Sequence, residues 1–488
     1  MGILKFMFNG KLEKLDDYRW LIPKSYMEGM RVNGIIYADE KLLPSILKDN
    51  APIQVANSAH LQGIVCQAMA MPDIHWGYGL PIGGVVATDI EKNGVITPGG
   101  VGYDINCGVR LIATNLMYKD IAKKIKNLID VLFSFVPSGV GSNGKIKVDS
   151  KESARVFIEG AKWAVNKGYG WDSDLIFAEE NGAMKGADPS KVSSRAYERG
   201  QDQIGTLGSG NHFLEIQTVE EIFNEDTARI FGLQKDGVVI MIHTGSRGLG
   251  HQVCTDYVEK MVKIGDKYGI KIPDRQLVGV PVKSQEGVDY IGAMSSSANY
   301  AWANRQVITH LVRRAFEQVF ETRAENLGMR LIYDVAHNIA KFEKYNISGE
   351  EKLLCVHRKG ATRSLAPGHK ELPQLYQKTG QPVIIPGDMG RCSYVLRGEE
   401  KAVETFYSTC HGAGRVMSRN EALNVTRGRA IDKELAEQGI IARCAERATL
   451  REEAPMAYKN VTDIVNIVEK AGLSSKVAKM KPIAVIKG

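Results

Sequence analysis

The sequence predicts an α+β fold, one large domain with a β-sheet core, flanking helices and long glycine-rich loops. Three observations lead there. Amphipathic helical stretches and short β-rich runs both occur, they follow one another without a strand–helix–strand rhythm, and no low-complexity or Pro/Ser-rich linker divides the 488 residues. Length alone would suggest roughly two to four domains. The even composition favours a single unit over 1–488, and its weakest points are the Gly/Ser-containing "PSGVGSNGK" (137–145) and the charged stretch at 343–352.

Helices are predicted at 152–167, 252–265 and about 290–323, where apolar residues recur at three- and four-residue spacing. Between them stand runs rich in β-branched and aliphatic residues: "GVVIMI" (237–242), "LIYDVA" (331–336), "LLCVH" (353–357) and "PVIIP" (382–386). Several of these runs lead into a histidine followed by glycine. That placement matters more for function than the strands themselves.

Composition narrows the class. With 44% hydrophobic and 24% charged residues the chain reads as an ordinary soluble globular protein. A formal net charge of +7 permits a polyanionic partner without requiring one. Basic residues gather in "HRKGATR" (357–363) and "SRNEALNVTRGR" (418–429), where a phosphate backbone could be held. Seven scattered cysteines without a C-x-x-C pair indicate neither a disulfide framework nor a zinc ribbon. The start lacks a signal-peptide core and no apolar run approaches ~18 residues, so the expectation is a cytoplasmic protein with no membrane segment.

"GYDINCGVR" (102–110) spaces Asp104 and Cys107 three apart. Alone, this is either half of a metal site or a polar turn with a buried thiol. Four histidines share similar surroundings: His212 in "GTLGSGNHFLE", His243 in "MIHTGSRGLGH", His337 in "YDVAHNIA" and His411 in "STCHGAGR". Three of the four have glycines close by, and a glycine beside a reactive side chain lets backbone N–H groups approach a ligand. Neither glycine cluster matches a P-loop or a dinucleotide fingerprint. A carboxylate, a thiolate and imidazoles suit a borderline first-row divalent ion, and a thiolate can bridge two. Two metals ~3.5–4 Å apart would serve phosphoryl chemistry. These residues also fit a dinuclear phosphoesterase, and the basic patches alone would fit a non-catalytic RNA-binding protein.

Taken together with "MPDIHWGYGLPIGGV" (71–85), "HTGSRGLG", "DVAHN", "HRKGATR", "CHGAGR", "EEAPMAYKNV" (452–461) and "KPIAVIKG" (481–488), these motifs make the chain resemble the RtcB family of GTP-dependent RNA ligases, which join tRNA exon halves after intron removal. The resemblance implies that Asp104, Cys107 and His212 hold one Mn²⁺ and that Cys107, His243 and His337 hold a second. It implies that His411 attacks GTP and carries GMP. The nucleotide pocket it implies takes Asn211, His212, Phe213, Leu214 and Glu215, together with His337 and Asn338. To these it adds Pro386, Gly387, Asp388, Met389 and Ser393, the turn His411, Gly412, Ala413 and Gly414, and finally Tyr458 and Lys487.

The resemblance further implies RNA ends as substrates, in splicing or repair, a monomeric core and, as in many relatives, an activating partner called archease. Arg247, Arg358, Lys359, Arg363 and Arg415 are the candidates for holding RNA, because guanidinium forks match phosphate oxygens. Asp73, in the first motif, is placed to orient His411. One stretch departs from the family pattern: "IPGDMGRCSYV" (385–395) has Asp388 and Arg391 where relatives usually carry small residues, so Asp388 must pair Arg391, ligate metal or face the base.

Overall fold

A strand buried on both faces needs a near-continuous apolar run, and Gly237–Thr244 is buried at every position. In the computed structural model, which describes residues 8–488, this strand lies inside an eight-stranded sheet. Its order is Arg330–Ala336, Gly108–Met117, Gly237–Thr244, Phe213–Ile222, Ser474–Lys487, Ser393–Gly398 and Pro382–Ile385, with Ile441–Cys444 running parallel beside Ser474–Lys487. Successive side chains go to opposite faces. Val239 and Met241 join one apolar cluster with Val109, Leu111 and Phe213, whereas Ile240 and Ile242 join another with Leu214, Ile216 and Phe316.

A seven-stranded sheet stands beside it, ordered Glu13–Lys14, Arg19–Ile22, Asn33–Tyr37, Gln67–His75, Ile82–Asp89, Glu350–Lys359 and Asn338–Ile347. The chain passes from one sheet to the other through His337 alone, between Arg330–Ala336 and Asn338–Ile347. The candidate functional residues gather at this crossing.

The predicted helix at 290–323 is the 36-residue Gln285–Phe320, capped by Ser284 Oγ accepting from Gly287 N–H and ended at Glu321 in the left-handed region (φ 54°). Its buried polar stripe anchors the loops of the site. Arg305 donates to both Asp334 carboxylate oxygens (2.9 Å each), to the Asn106 carbonyl (2.8 Å) and to the Thr244 carbonyl (3.0 Å). Arg110 donates to Asp334 from the neighbouring strand at 2.7 Å. One buried carboxylate therefore fixes two guanidinium groups and, through them, the turns that precede Cys107 and follow His243.

Two expectations about elements need correction. The helix predicted at 152–167 is two, Ser150–Glu159 and Ala161–Asn166, because Gly160 (φ 57°) packs where a Cβ would meet the Gly182 carbonyl. Helix 252–265 begins earlier, as Arg247–Ile264. Residues 343–352, read as a charged stretch, are the end of a hairpin paired from Asn338↔Lys359 to Ile347↔Glu350, with its turn at 348–349. Among the described residues no helix is long and apolar enough to cross a membrane.

Candidate functional site

Strand register brings distant residues together. Gly108 pairs with Thr244 on one side and Ala336 on the other, and Phe213 pairs with His243. Cys107, His212, His243 and His337 therefore sit at the same end of four adjacent strands. The Cys107 carbonyl accepts from His337 N–H (2.9 Å), and Asn106 N–H donates to the Asn338 carbonyl (2.7 Å), which ties the Asp104–Cys107 turn to the sheet crossing.

The side chains converge. Cys107 Sγ lies 3.4 Å from His212 Nε2 and 3.3 Å from His243 Nε2. His243 Nε2 is 3.3 Å from His337 Nε2, and Asp104 Oδ2 is 2.9 Å from His212 Nε2. Two groups of three, Asp104–Cys107–His212 and Cys107–His243–His337, each bring their ligand atoms within 4.8 Å of one another and share the thiol. Gly245 makes this possible, since a Cβ there would lie 2.4 Å from the Asp104 carboxylate.

The hydrogen bonding tests whether a cation fits. The Leu207 carbonyl can only accept, so His212 Nδ1, 3.0 Å away, carries the proton. The lone pair of Nε2 then faces the Asp104 carboxylate, acceptor against acceptor, unless a second proton or a metal cation lies between them. Burial, followed by the charges of neighbouring rings and Lys487, holds the His243 imidazole well below its usual range, and burial and neighbouring rings do the same for His337. Both present neutral nitrogens. Burial, reinforced by Asp104, pushes the Cys107 thiol up, an order that a bound divalent ion reverses by drawing off the proton. The donor set of one carboxylate, one shared thiolate and three imidazoles suits a borderline first-row metal.

His411 follows the strand Ser408–Cys410, and its ring centroid is 4.9 Å from that of His337. Asp73 Oδ2 accepts three hydrogen bonds: from His411 Nδ1 at 2.5 Å, His411 N–H at 2.9 Å and Gly412 N–H at 3.3 Å. His411 Nε2 has no hydrogen-bond partner among the described residues and remains available to a substrate. Gly360 (φ 61°) lets the backbone pass where a Cβ would stand 3.1 Å from His411 Cε1.

A cavity of about 240 Å³ opens in front of this ring. Of the residues expected to line a nucleotide pocket, Asn211, Phe213, Glu215, His337 and Asn338 are on its walls. So are Pro386 to Met389, His411 to Gly414, Tyr458 and Lys487. Three are not. Leu214 faces the opposite side of its strand, in the apolar cluster under the long helix, as strand alternation after Phe213 requires. Ser393 lies behind the wall, where its Oγ accepts from Gly387 N–H (3.2 Å) and Gln217 Nε2 (3.1 Å). His212 opens into the adjoining cavity.

Burial pushes the Glu215 carboxyl up to about 7. Glu453 is an unforeseen member of the wall, although the motif "EEAPMAYKNV" contains it. Fully buried, it pairs with Arg415 (3.0 Å), sits 3.8 Å from Lys487 and accepts from the Tyr458 hydroxyl. Asp388 pairs with Arg391 at 2.8 Å, which resolves the departure from the family pattern as an internal ion pair.

The five candidates for RNA contact divide. Arg247 and Lys359 line the second cavity. Arg358 and Arg363 do not qualify as phosphate contacts. Arg358 is fully buried, with its donors bound to both Glu343 oxygens (2.8 Å each), Ser408 Oγ (2.8 Å) and the Phe406 carbonyl (2.6 Å). Arg363 is buried against Glu179 (2.8 Å) and Glu371 (2.6 Å). Arg415 is at the first cavity, but its donors are taken by Glu453, Tyr458 and the carbonyls of Met417 and Glu452. The wall also holds Arg419, whose side chain is 57% exposed and which reaches both cavities.

Comparison with known proteins adds an independent line. The family model described as tRNA-splicing ligase RtcB matches residues 54–488. A protein named tRNA-splicing ligase RtcB from Archaeoglobus fulgidus is 53% identical over 480 residues, covering 98% of this chain and 99% of that protein. Proteins with the same name from Thermococcus kodakarensis and Pyrobaculum aerophilum are 52% and 48% identical, over 98% and 99% of this chain and 99% and 100% of their own lengths.

Proposed function

The chain belongs to the RtcB family and is an RNA ligase, and from that premise we propose that it serves tRNA splicing, joining a 2′,3′-cyclic-phosphate or 3′-phosphate RNA end to a 5′-hydroxyl end with GTP through a histidine-bound GMP. Repair of broken RNA uses the same chemistry. The observation that carries this reading is the His411 ring, pinned at Nδ1 by Asp73 with Nε2 directed into a cavity shared with a Cys/His/Asp cluster.

In this mechanism His411 Nε2 attacks the α-phosphorus of GTP. The P–N bond forms as the bond to pyrophosphate breaks, and Nδ1–H stays with Asp73, which balances the positive charge on the ring. After water opens the cyclic phosphate, an oxygen of the RNA 3′-phosphate attacks the bound GMP and frees the imidazole. The 5′-hydroxyl of the other RNA then attacks the 3′-phosphorus, releasing GMP and forming the phosphodiester. Asp104, Cys107 and His212, and Cys107, His243 and His337, are the two sets of ligands, and Mn²⁺ bound there would neutralise charge on the phosphate oxygens. Glu215 and Lys487, on the cavity wall, would serve the guanine edge as acceptor and donor, and Tyr458 closes the wall.

The test is incubation with α-labelled GTP and Mn²⁺, followed by addition of a cyclic-phosphate RNA and a 5′-hydroxyl RNA. One acid-labile label per chain, absent in His411→Ala, and a joined RNA are expected. A phosphoesterase would take up no label, and a binding protein would retain its function in His243→Ala.

A further inference from the structure

The cluster lies in the wall between two chambers. Asp104, Asn211, Asn338 and Arg419 border both the nucleotide cavity and a second one of about 480 Å³, into which His212 opens. The second chamber carries basic side chains on its walls, Arg199, Arg247, Lys359 and Arg419. Lys359 is held there by carbonyls, its Nζ donating to Tyr78 and, at 3.2 Å, to Gly99. Arg247 is held by an Nε hydrogen bond to Thr206 Oγ1 at 3.1 Å. Such a wall suits phosphates. It leaves the bases unaccounted for.

Three aromatic rings occupy the same chamber. Tyr78 meets Tyr103 edge to face (centroids 5.1 Å, 67°), and Tyr103 stacks on His251 (5.4 Å, 26°). Tyr78 and Tyr103 are half-buried against the apolar cluster that includes Val101, Ile105 and Val278, whereas His251 is exposed. The series therefore runs from an anchored ring to one open to solvent. The His251 ring nitrogens make no hydrogen bond among the described residues, so its role is not that of a structural polar link. It rises from the start of the second turn of Arg247–Ile264, and Tyr103 immediately precedes Asp104, so the stack is rigidly placed relative to the metal-ligand cluster.

We propose that His251, backed by Tyr103 and Tyr78, is the platform on which the terminal base of one RNA end stacks while its phosphate lies against the basic side chains and the cluster. Every base has a π-face, so stacking holds an end without reading its sequence, as joining of varied ends demands. Fixing the terminal nucleotide also restricts the approach of hydroxyl to phosphorus, a positional gain that phosphate contacts alone do not supply. The inference rests on the ligase reading.

The experiment compares the full-length protein with His251→Ala and His251→Phe in two assays: label uptake from GTP, which needs no RNA, and RNA joining under steady state. Label uptake should be unchanged. The KM for RNA should rise roughly 10-fold in His251→Ala and return in His251→Phe, because the phenyl ring restores the π-surface without the nitrogens. An abasic terminal nucleotide, placed in each RNA in turn, should raise KM for the unaltered protein by a similar factor in one of them and add nothing further in His251→Ala. An unchanged KM in His251→Ala, or additive abasic and His251→Ala effects in both RNAs, overturns the proposal. If His251→Ala loses label uptake as well, the abasic series on the unaltered protein decides, and equal KM values for intact and abasic ends overturn it. If the unaltered protein takes up no label, the ligase reading fails instead, and equal binding of intact and abasic single strands then removes the platform too.

Discussion

Asp73→Asn is the sharpest probe of the nucleophile. In a catalytic triad, exchanging the carboxylate for an amide costs roughly 10⁴ in rate, because the amide turns its NH₂ to the ring and selects the wrong tautomer. Here the geometry resists that turn. Asp73 Oδ2 accepts from the backbone N–H groups of His411 and Gly412 as well as from Nδ1, so an amide nitrogen in its place would face three donors. The amide oxygen stays there, Nδ1–H is retained and Nε2 keeps its lone pair. What disappears is the negative charge: a charged hydrogen bond at ~1.5–3 kcal/mol becomes a neutral one at ~0.5–1.5 kcal/mol. The difference of ~1–2 kcal/mol corresponds to roughly 5- to 30-fold. The amide nitrogen takes the buried position of Oδ1, which has no hydrogen-bond partner among the described residues and lies beside Gly83, so some stability is lost as well. Single-turnover label transfer from GTP measures the rate, and the GTP concentration dependence should stay the same. A normal rate would show that Asp73 does not assist His411, and a loss near 10⁴ would show that the backbone donors do not hold the amide.

Three further outcomes follow from the same geometry. Arg247→Met should weaken RNA binding and reduce the slope of log affinity against log salt by about 1, whereas Arg358→Met should leave the slope unchanged and lower thermal stability, since it removes the bidentate partner of Glu343, which keeps only the Tyr345 hydroxyl and the more distant Arg363. Glu215 has its carboxyl at about 7 against an ordinary 4.5, raised by burial, so the folded chain without nucleotide binds that proton more tightly than the unfolded chain. Its contribution, on the order of 3 kcal/mol, is complete below pH ~4.5 and lost as pH rises through 7, and Glu215→Gln should flatten melting temperature across that window. Mn²⁺ at a hundredfold excess over its Kd should stabilise the chelator-treated protein by ~2.7 kcal/mol for each site filled in thermal unfolding, and Cys107→Ala, which removes the ligand common to both groups, should abolish the effect.

Asp104, Cys107 and the four histidines were legible because their chemistry is rare and each is set among turn residues. Their convergence was not, since it depends on the pairing of Gly108 with Thr244 and Ala336, residues far apart in the chain. The basic run "HRKGATR" misled for a related reason. A cluster of like charges reads as a solvated or phosphate-binding face, yet these residues lie on strands, and the partners that bury Arg358 and Arg363, Glu343 and Glu179, come from other elements. Leu214 could have been set aside from the sequence: once Phe213 and Glu215 are given to one face of a strand, alternation sends it to the other. Glu453 carried no separate signal, because an acid beside another acid is ordinarily solvated, and only the approach of Arg415, Lys487 and Tyr458 makes it part of the pocket.

The strand Ser474–Lys487 lies in the interior of its sheet, hydrogen-bonded on one side to Phe213–Ile222 and on the other to Ser393–Gly398. A ribosome must therefore have released the chain as far as 487 before that gap can close, and until then Phe213–Ile222 presents an unpaired edge to any passing strand. Assembly of this enzyme is thus late and nearly simultaneous, slow by the measure of its long-range pairings, and nascent chains halted before 474 are expected to be prey for chaperones or proteases and never half-competent ligases.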